Sequence, residues 1–291
     1  MPENLKTPSK TAEEVTLVRI MESTKPEDER ICYDPLAIHF IGHKTLELLQ
    51  KDPEIEKGKQ TVFKGVANTI AARVRYFDDF VKKSINEGIE QLVILGAGYD
   101  TRAYRIEGIK ENVKVFELDH PSTQSIKIEK IKEIFGFLPD HVTYVSIDLE
   151  KEILSENLFK NKYDPLKKTL FLMEGLTLYI SPETVDKILS FIVKNSGKGS
   201  FVIFDYGYIS SNFSENPDRK IAENLLKFME KSGEAMKFGL DEGTAEIFLS
   251  ERGFSKIYDM SIEDYKKMNF QGKNKDRDVY SLMSFVHAVV Q

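Results

Sequence analysis

The sequence predicts an α/β fold with a mostly parallel sheet of about seven strands, helices on both faces and an antiparallel hairpin at its C-terminal end. Three observations carry this reading. Up to about residue 88 apolar residues recur at three- and four-residue steps; beyond it short β-type runs alternate with helical patterns; and the chain closes on two further β-type runs.

The elements follow in order. TAEEVTLVRIMES, from Thr11, places Val15, Val18 and Met21 on one face of a helix behind a threonine cap. A second helical segment is expected after Asp34-Pro35, because proline suits a first helical turn. The polar stretch DPEIEKGK, 52–59, separates it from a third helix over about 61–86, which carries Val66, Ile70, Val74, Phe77 and Val81 and ends at Gly88. The strand candidates are then QLVIL, NVKVFEL, HVTYVSI, KTLFLM and GSFVIF, an alternation with helices that implies a parallel sheet covered on both faces. A charged helical insertion over 207–240 interrupts the alternation, and FSKIYDM and YSLMSFVHAVV complete the sheet. The chain thus reads as a single domain, 1–291: an N-terminal helical segment (about 10–88), a Rossmann-like core (about 89–206 and 241–291) and the insertion. Seven strands closing this way resemble a class I methyltransferase sheet.

Composition excludes several functions. With 41% apolar and 30% charged residues the chain can bury a large core. Neither a membrane-spanning run nor a signal-peptide pattern is found, so the expected location is cytoplasmic. The single cysteine, Cys32, sits in an apolar patch and reads as packing; it permits no internal disulfide and no thiolate zinc cluster. A net charge of -6 argues against nucleic-acid binding through phosphates. His39 and His43 have the i, i+4 spacing of helical metal ligands but no third ligand, and FDDF reads as an exposed acidic turn, so no metal site is expected.

The cofactor signal lies in LVILGAGYDT, a strand running into a glycine turn at Gly96, Ala97 and Gly98. A dinucleotide fingerprint requires a third glycine where this chain has Thr101, which weakens a pyrophosphate reading. S-adenosyl-L-methionine carries no phosphate and needs neither that glycine nor an anion-binding helix end. The second strand ends FELDHP, where Asp119 reaches the carboxyl edge at the spacing of a ribose-binding acid, with Glu117 the competitor on the same side. After the third strand, Asp148 either accepts from an adenine amino group, with Leu149 N–H on a ring nitrogen, or caps the next helix. Glu174, delivered by KTLFLM, can hold the amino end of the cofactor or serve as a loop acid.

These blocks, with RICYDPLA, ARVRYFDDFV, SIDLEK and FLMEGLTLYISPE, resemble the leucine carboxyl methyltransferase family, which also holds polyketide O-methyltransferases. The likeness spans about 11–206. It implies that Arg73 binds the cofactor carboxylate, Gly96 lines the amino-acid portion, Asp119 takes the ribose, Asp148 and Leu149 hold adenine, and Glu174 lies near the amino group. Arg19 is a second candidate for the carboxylate, and Arg75 a structural ion-pair partner. The expected activity is methyl transfer to an oxygen, a carboxylate by preference because it is ionised without a base. The acceptor is a small molecule or a protein C-terminus. Tyr179 either touches it or packs on the sheet, and the apolar insertion residues line its pocket or dock the insertion. A nicotinamide-dependent oxidoreductase and a non-catalytic cofactor-binding protein are the competing readings.

Overall fold

The computed structural model describes residues 10–42, 65–209 and 216–291. Helix α1 (Lys10–Ser23) is followed by a 3-10 turn at Ala37–Phe40 and, after the linking segment outside the described residues, by α2 (Val66–Asn86). His43, the 52–59 connection and the start of the expected third helix fall outside the described residues. The alternating part then runs β1 (Gln91–Leu95), α3 (Arg102–Arg105), α4 (Ile109–Asn112), β2 (Lys114–Asp119), α5 (Pro121–Phe135), β3 (Val142–Ser146), α6 (Leu154–Lys160), β4 (Thr169–Met173), α7 (Pro182–Lys194) and β5 (Phe201–Gly207). After it come α8 (Arg219–Lys231), α9 (Ala245–Ser250), β6 (Phe254–Ser261), α10 (Ile262–Asn269) and β7 (Met283–Val290).

All seven expected β-type runs form strands of one sheet, in the order β3-β2-β1-β4-β5-β7-β6. The first five are parallel; β7 enters between β5 and β6, antiparallel to both. The last two strands are joined through α10 rather than by a tight turn. The central strands are buried along their whole length, as continuous apolar runs covered on both faces require.

Alternation along each strand feeds two cores. Val93 and Leu95 pack with Val185, Ile188 and Leu189 of α7 and with Ala245 and Leu249 of α9, whereas Leu92 and Ile94 pack with Val74, Phe77 and Val81 of α2. Burying each such aromatic or branched side chain contributes roughly 1.5–3 kcal/mol. The strand order reverses between β1 and β4, so the carboxyl ends of β1, β2, β4 and β5 open a crevice at this switch point. Cys32 is buried, and that burial pushes its thiol up to about 12, consistent with packing. No helix among the described residues is long and apolar enough to cross a membrane.

Candidate active site

A cavity of about 1470 Å³ occupies that crevice. Its floor is the strand ends: Gly96, Ala97 and Gly98 after β1, Asp119 closing β2, and Glu174 and Gly175 after β4. Gly96 has φ +67°, a left-handed conformation that favours glycine, and a Cβ there would lie 2.9 Å from Leu176 Cδ1. Each oxygen of Asp119 is fixed by backbone: Oδ2 accepts from Gly98 N–H and Oδ1 from His120 N–H at 2.6 Å. Burial raises its carboxyl above the usual range, opposed by these two donors and by Lys127. Glu117, two residues earlier on the same side, does not reach the cavity; it is fully buried with its Oε2 2.8 Å from Lys127 Nζ. Burial, working against the lysine, pushes Glu117 up to about 7.

Arg73, on the buried face of α2, reaches Glu174 at 3.1 Å through Nε and Asp205 of β5 at 2.9 Å through Nη1. Arg102 holds the other side of Glu174, 2.6 Å from Oε2, while also contacting Asp100 at 2.5 Å and Asp78 at 2.7 Å. Arg105 grips Asp78 with both Nη atoms at 2.7 Å and approaches Asp34 at 3.6 Å. Asp34 in turn accepts from Arg19 Nη1 at 2.9 Å and from Thr101 at 2.7 Å. A single buried network therefore runs from α1 through the glycine turn to the end of β4. Burial acts to raise Asp100, but Arg102, Lys127 and Arg105 outweigh it and bring Asp100 down to about 2.

The structure brings Arg19, Arg73, Gly96, Ala97, Gly98, Asp119, Glu174 and Tyr179 to one cavity. Asp148 and Leu149 are not among its lining residues: Asp148 accepts from Glu150 N at 3.1 Å and Lys151 Nζ at 2.8 Å, and Leu149 packs against the core. Arg75 pairs with Asp79 at 2.7 Å on the exposed face of α2. One expectation is corrected. FDDF is not an exposed acidic turn throughout, because Asp78 is buried against Arg102 and Arg105, leaving only Asp79 outside. His120, left without a role by the sequence, caps α5 by accepting from Ser122 N.

Asp100, Arg102 and Asp205 were not singled out from sequence, and Asp78 was read only as part of an exposed acidic turn. Asp205 carried a signal nonetheless, since an acid inside the apolar run FVIFDYG must find a cationic partner or lose its charge. Arg102 carried none, because an arginine on a short helix is ordinarily solvated.

The opposite wall of the cavity is mostly apolar, although Glu14 of α1 and Glu234 also line the cavity. Val15, Val18 and Met21 of α1 face it, together with Leu225, Leu226, Phe228 and Met229 of α8 and Met236 beyond it. Of the insertion residues named from sequence, Phe213 lies outside the described residues and Phe238 is buried in the core without lining the cavity. Ala12 of α1 sits over Gly98, and Arg19 Nη2 donates to Tyr99 O at 2.9 Å, so α1 lies across the glycine turn. Among the described residues no group of three or more His, Cys, Asp or Glu is placed to hold a metal.

A crevice at the switch point of a 3-2-1-4-5-7-6 sheet, floored by a glycine turn after β1 and by acids at the ends of β2 and β4, has the architecture of the class I methyltransferase fold. The chain belongs to the leucine carboxyl methyltransferase family, whose model matches residues 12–193. YktD of Bacillus subtilis, provisionally named as an S-adenosyl-L-methionine-dependent methyltransferase, is 28% identical over 87% of this chain and 82% of its own. A Mycobacterium marinum protein with the same provisional name is 30% identical over 81% of this chain and 75% of its own. The fold is shared with a DUF574-family protein from Streptomyces avermitilis at TM-score 0.63 and 13% identity, over 98% of both chains.

Proposed function

We propose that this chain transfers the methyl group of S-adenosyl-L-methionine to a carboxylate oxygen of a small acid or of a protein C-terminus. The observation that carries the reading is the cavity itself, in which a charged floor at the strand ends meets an apolar wall built by α1 and α8. Its volume exceeds the roughly 300–1,000 Å³ of a single-ligand pocket. That supports a cofactor and an acceptor held side by side.

The residues fit the cofactor. Around Glu174 four carboxylates (Asp78, Asp100, Glu174, Asp205) meet three guanidiniums (Arg73, Arg102, Arg105), an excess of one negative charge before Asp119 is added. S-adenosyl-L-methionine, with a sulfonium, an ammonium and one carboxylate, carries the opposite excess. Arg73 suits the carboxylate, because its guanidinium has five donors and stays charged. Asp119, aimed by two backbone N–H groups, suits the ribose hydroxyls. Gly96 lets the backbone approach the methionine portion.

When bound, the cofactor supplies a sulfonium-activated methyl group that an oxygen nucleophile displaces. The chain's own contribution is to align the two and exclude water, with the apolar wall doing the second. Four tyrosines line the cavity: Tyr99, Tyr179 and Tyr208 are each pushed up to about 12 by burial and Tyr280 is raised in the same direction, so none is poised to take a proton near neutrality. A carboxylate acceptor requires no such transfer.

Calorimetric titration with S-adenosyl-L-methionine and, separately, NADH tests the cofactor; the expected result is binding of the first alone, and NADH binding alone overturns the reading. Methyl-labelled cofactor with a panel of carboxylic acids and C-terminal peptides tests the acceptor. A carboxyl methyl ester releases volatile label in mild base, whereas base-stable label marks an ether or amine product and overturns the carboxylate assignment.

A further inference from the structure

We propose that Lys127 is a positioning residue for the cofactor: from beneath the glycine turn it sets the orientation of the peptide group between Ala97 and Gly98. The inference rests on the cofactor reading above and adds to it a residue that does not touch the cavity.

Lys127 lies on α5 in IKIEKIKE, a pattern that places lysines on a solvated helix face. Its side chain is instead 1% exposed. Interior placement of an ammonium costs several kcal/mol unless its donors are met. Here the ammonium ion-pairs with Glu117 Oε2 at 2.8 Å and donates to the carbonyl oxygen of Ala97 at 3.4 Å. That carbonyl and the N–H of Gly98 belong to one peptide group, and the N–H donates to Asp119. Lys127 and Asp119 thus hold opposite poles of the same peptide, and Ala97 N–H, donating to Leu118 O at 2.9 Å, anchors the turn to β2 one residue earlier. A peptide that rotates when one pole is released carries the Asp119 carboxylate with it and spoils the ribose contact. The lysine also lies close enough to Asp119 and Asp100 to favour their charged forms.

Three variants separate positioning from charge balance. Lys127→Met should lower the urea midpoint and weaken S-adenosylhomocysteine binding at least about tenfold, the range expected for a lost charged hydrogen bond. Glu117→Gln, which retains the ammonium at Ala97, should also lower the midpoint yet leave affinity within about twofold. The double variant Glu117→Gln/Lys127→Met, with no unpaired buried charge, should recover the midpoint lost by Lys127→Met but not the affinity. Calorimetry with S-adenosylhomocysteine reads the affinity, and hydrogen exchange at the Gly98 amide in the free protein should be faster wherever Lys127 is replaced. Wild-type affinity in the double variant, or an equal loss in Glu117→Gln, overturns the proposal. If the wild-type protein binds no S-adenosylhomocysteine, the cofactor reading fails instead, and unchanged Gly98 exchange in Lys127→Met still overturns the positioning role.

Discussion

Arg75 and Arg102 show how the same side chain takes unequal parts according to what surrounds it. Arg75 meets Asp79 one helical turn away with both groups about half exposed, a pair worth little in water. Arg102 is almost fully buried and contacts Asp78, Asp100 and Glu174 at 2.5–2.7 Å. Removing its guanidinium takes away the ion-pair partner of buried Asp100 and leaves Asp78 to Arg105 and Glu174 to Arg73 alone. Arg102→Met is therefore expected to destabilise the protein by about 3–5 kcal/mol and to weaken S-adenosylhomocysteine binding through the displaced Glu174. Arg75→Met should stay within about 0.5 kcal/mol of the parent, and urea unfolding of the two variants checks both figures. The contrast also explains which site residues could be read from sequence. Asp119 and Glu174 were legible because each ends an apolar strand, and strand ends meet at a known edge of a parallel sheet. The Arg102 network was not, since its members come from α2, the glycine turn, α3 and the end of β4, and only the folded chain shows that they converge.

At the scale of elements, legibility followed burial. Each central strand is an apolar run too short for a helix and bounded by turn residues, so its position could be read directly. Helix α1 was harder, because it has two working faces: Val15, Val18 and Met21 look into the cavity while Thr16 and Arg19 are buried against the turns beside it. Apolar periodicity found the first face and was silent on the second. The contact of α2 with β7 carries a pH-dependent component of stability. His287 Nδ1 lies 2.8 Å from Tyr76 Oη, and its ring is 4.3 Å from that of Phe80. Burial, helped by Lys83, lowers its imidazole from about 6.5 to about 4. The folded protein therefore binds fewer protons than the unfolded chain between these values. Stability from this group is fully present above about pH 6.5 and is lost as the pH falls through 4. Unfolding free energies from urea titrations across pH 4–7.5 should fall by about 2 kcal/mol more in the parent than in His287→Gln; parallel pH profiles would assign the loss to other groups.

Over the whole molecule, the sheet and the added helices divide the labour of one cavity. The strand ends supply Asp119 and Glu174 of the floor, the turn and helices around them supply Asp100, Arg19, Arg73 and Arg102, and α8 supplies much of the apolar wall. Helix α8 is strongly amphipathic, yet Ala222 is its only fully buried residue, and Leu226 remains 42% exposed. Its apolar face abuts the cavity rather than the core, and polar contacts tie the segments at its two ends to the rest of the chain. Asp218, at its start, accepts from Ser281 N at 2.7 Å, and Glu234, just past its end, accepts from Thr11 of α1. Leu225 and Met229 line the cavity one helical turn apart without packing in the core, so truncating them should cost little stability. If this wall binds the acceptor while the strand ends bind the cofactor, Leu225→Ala/Met229→Ala should raise the acceptor KM about tenfold, the equivalent of about 1.4 kcal/mol of lost apolar contact. The S-adenosylhomocysteine Kd should stay within about twofold of the parent. A parallel rise in both constants would mean that α8 shapes the cavity as a unit, and the division between floor and wall would fall with it.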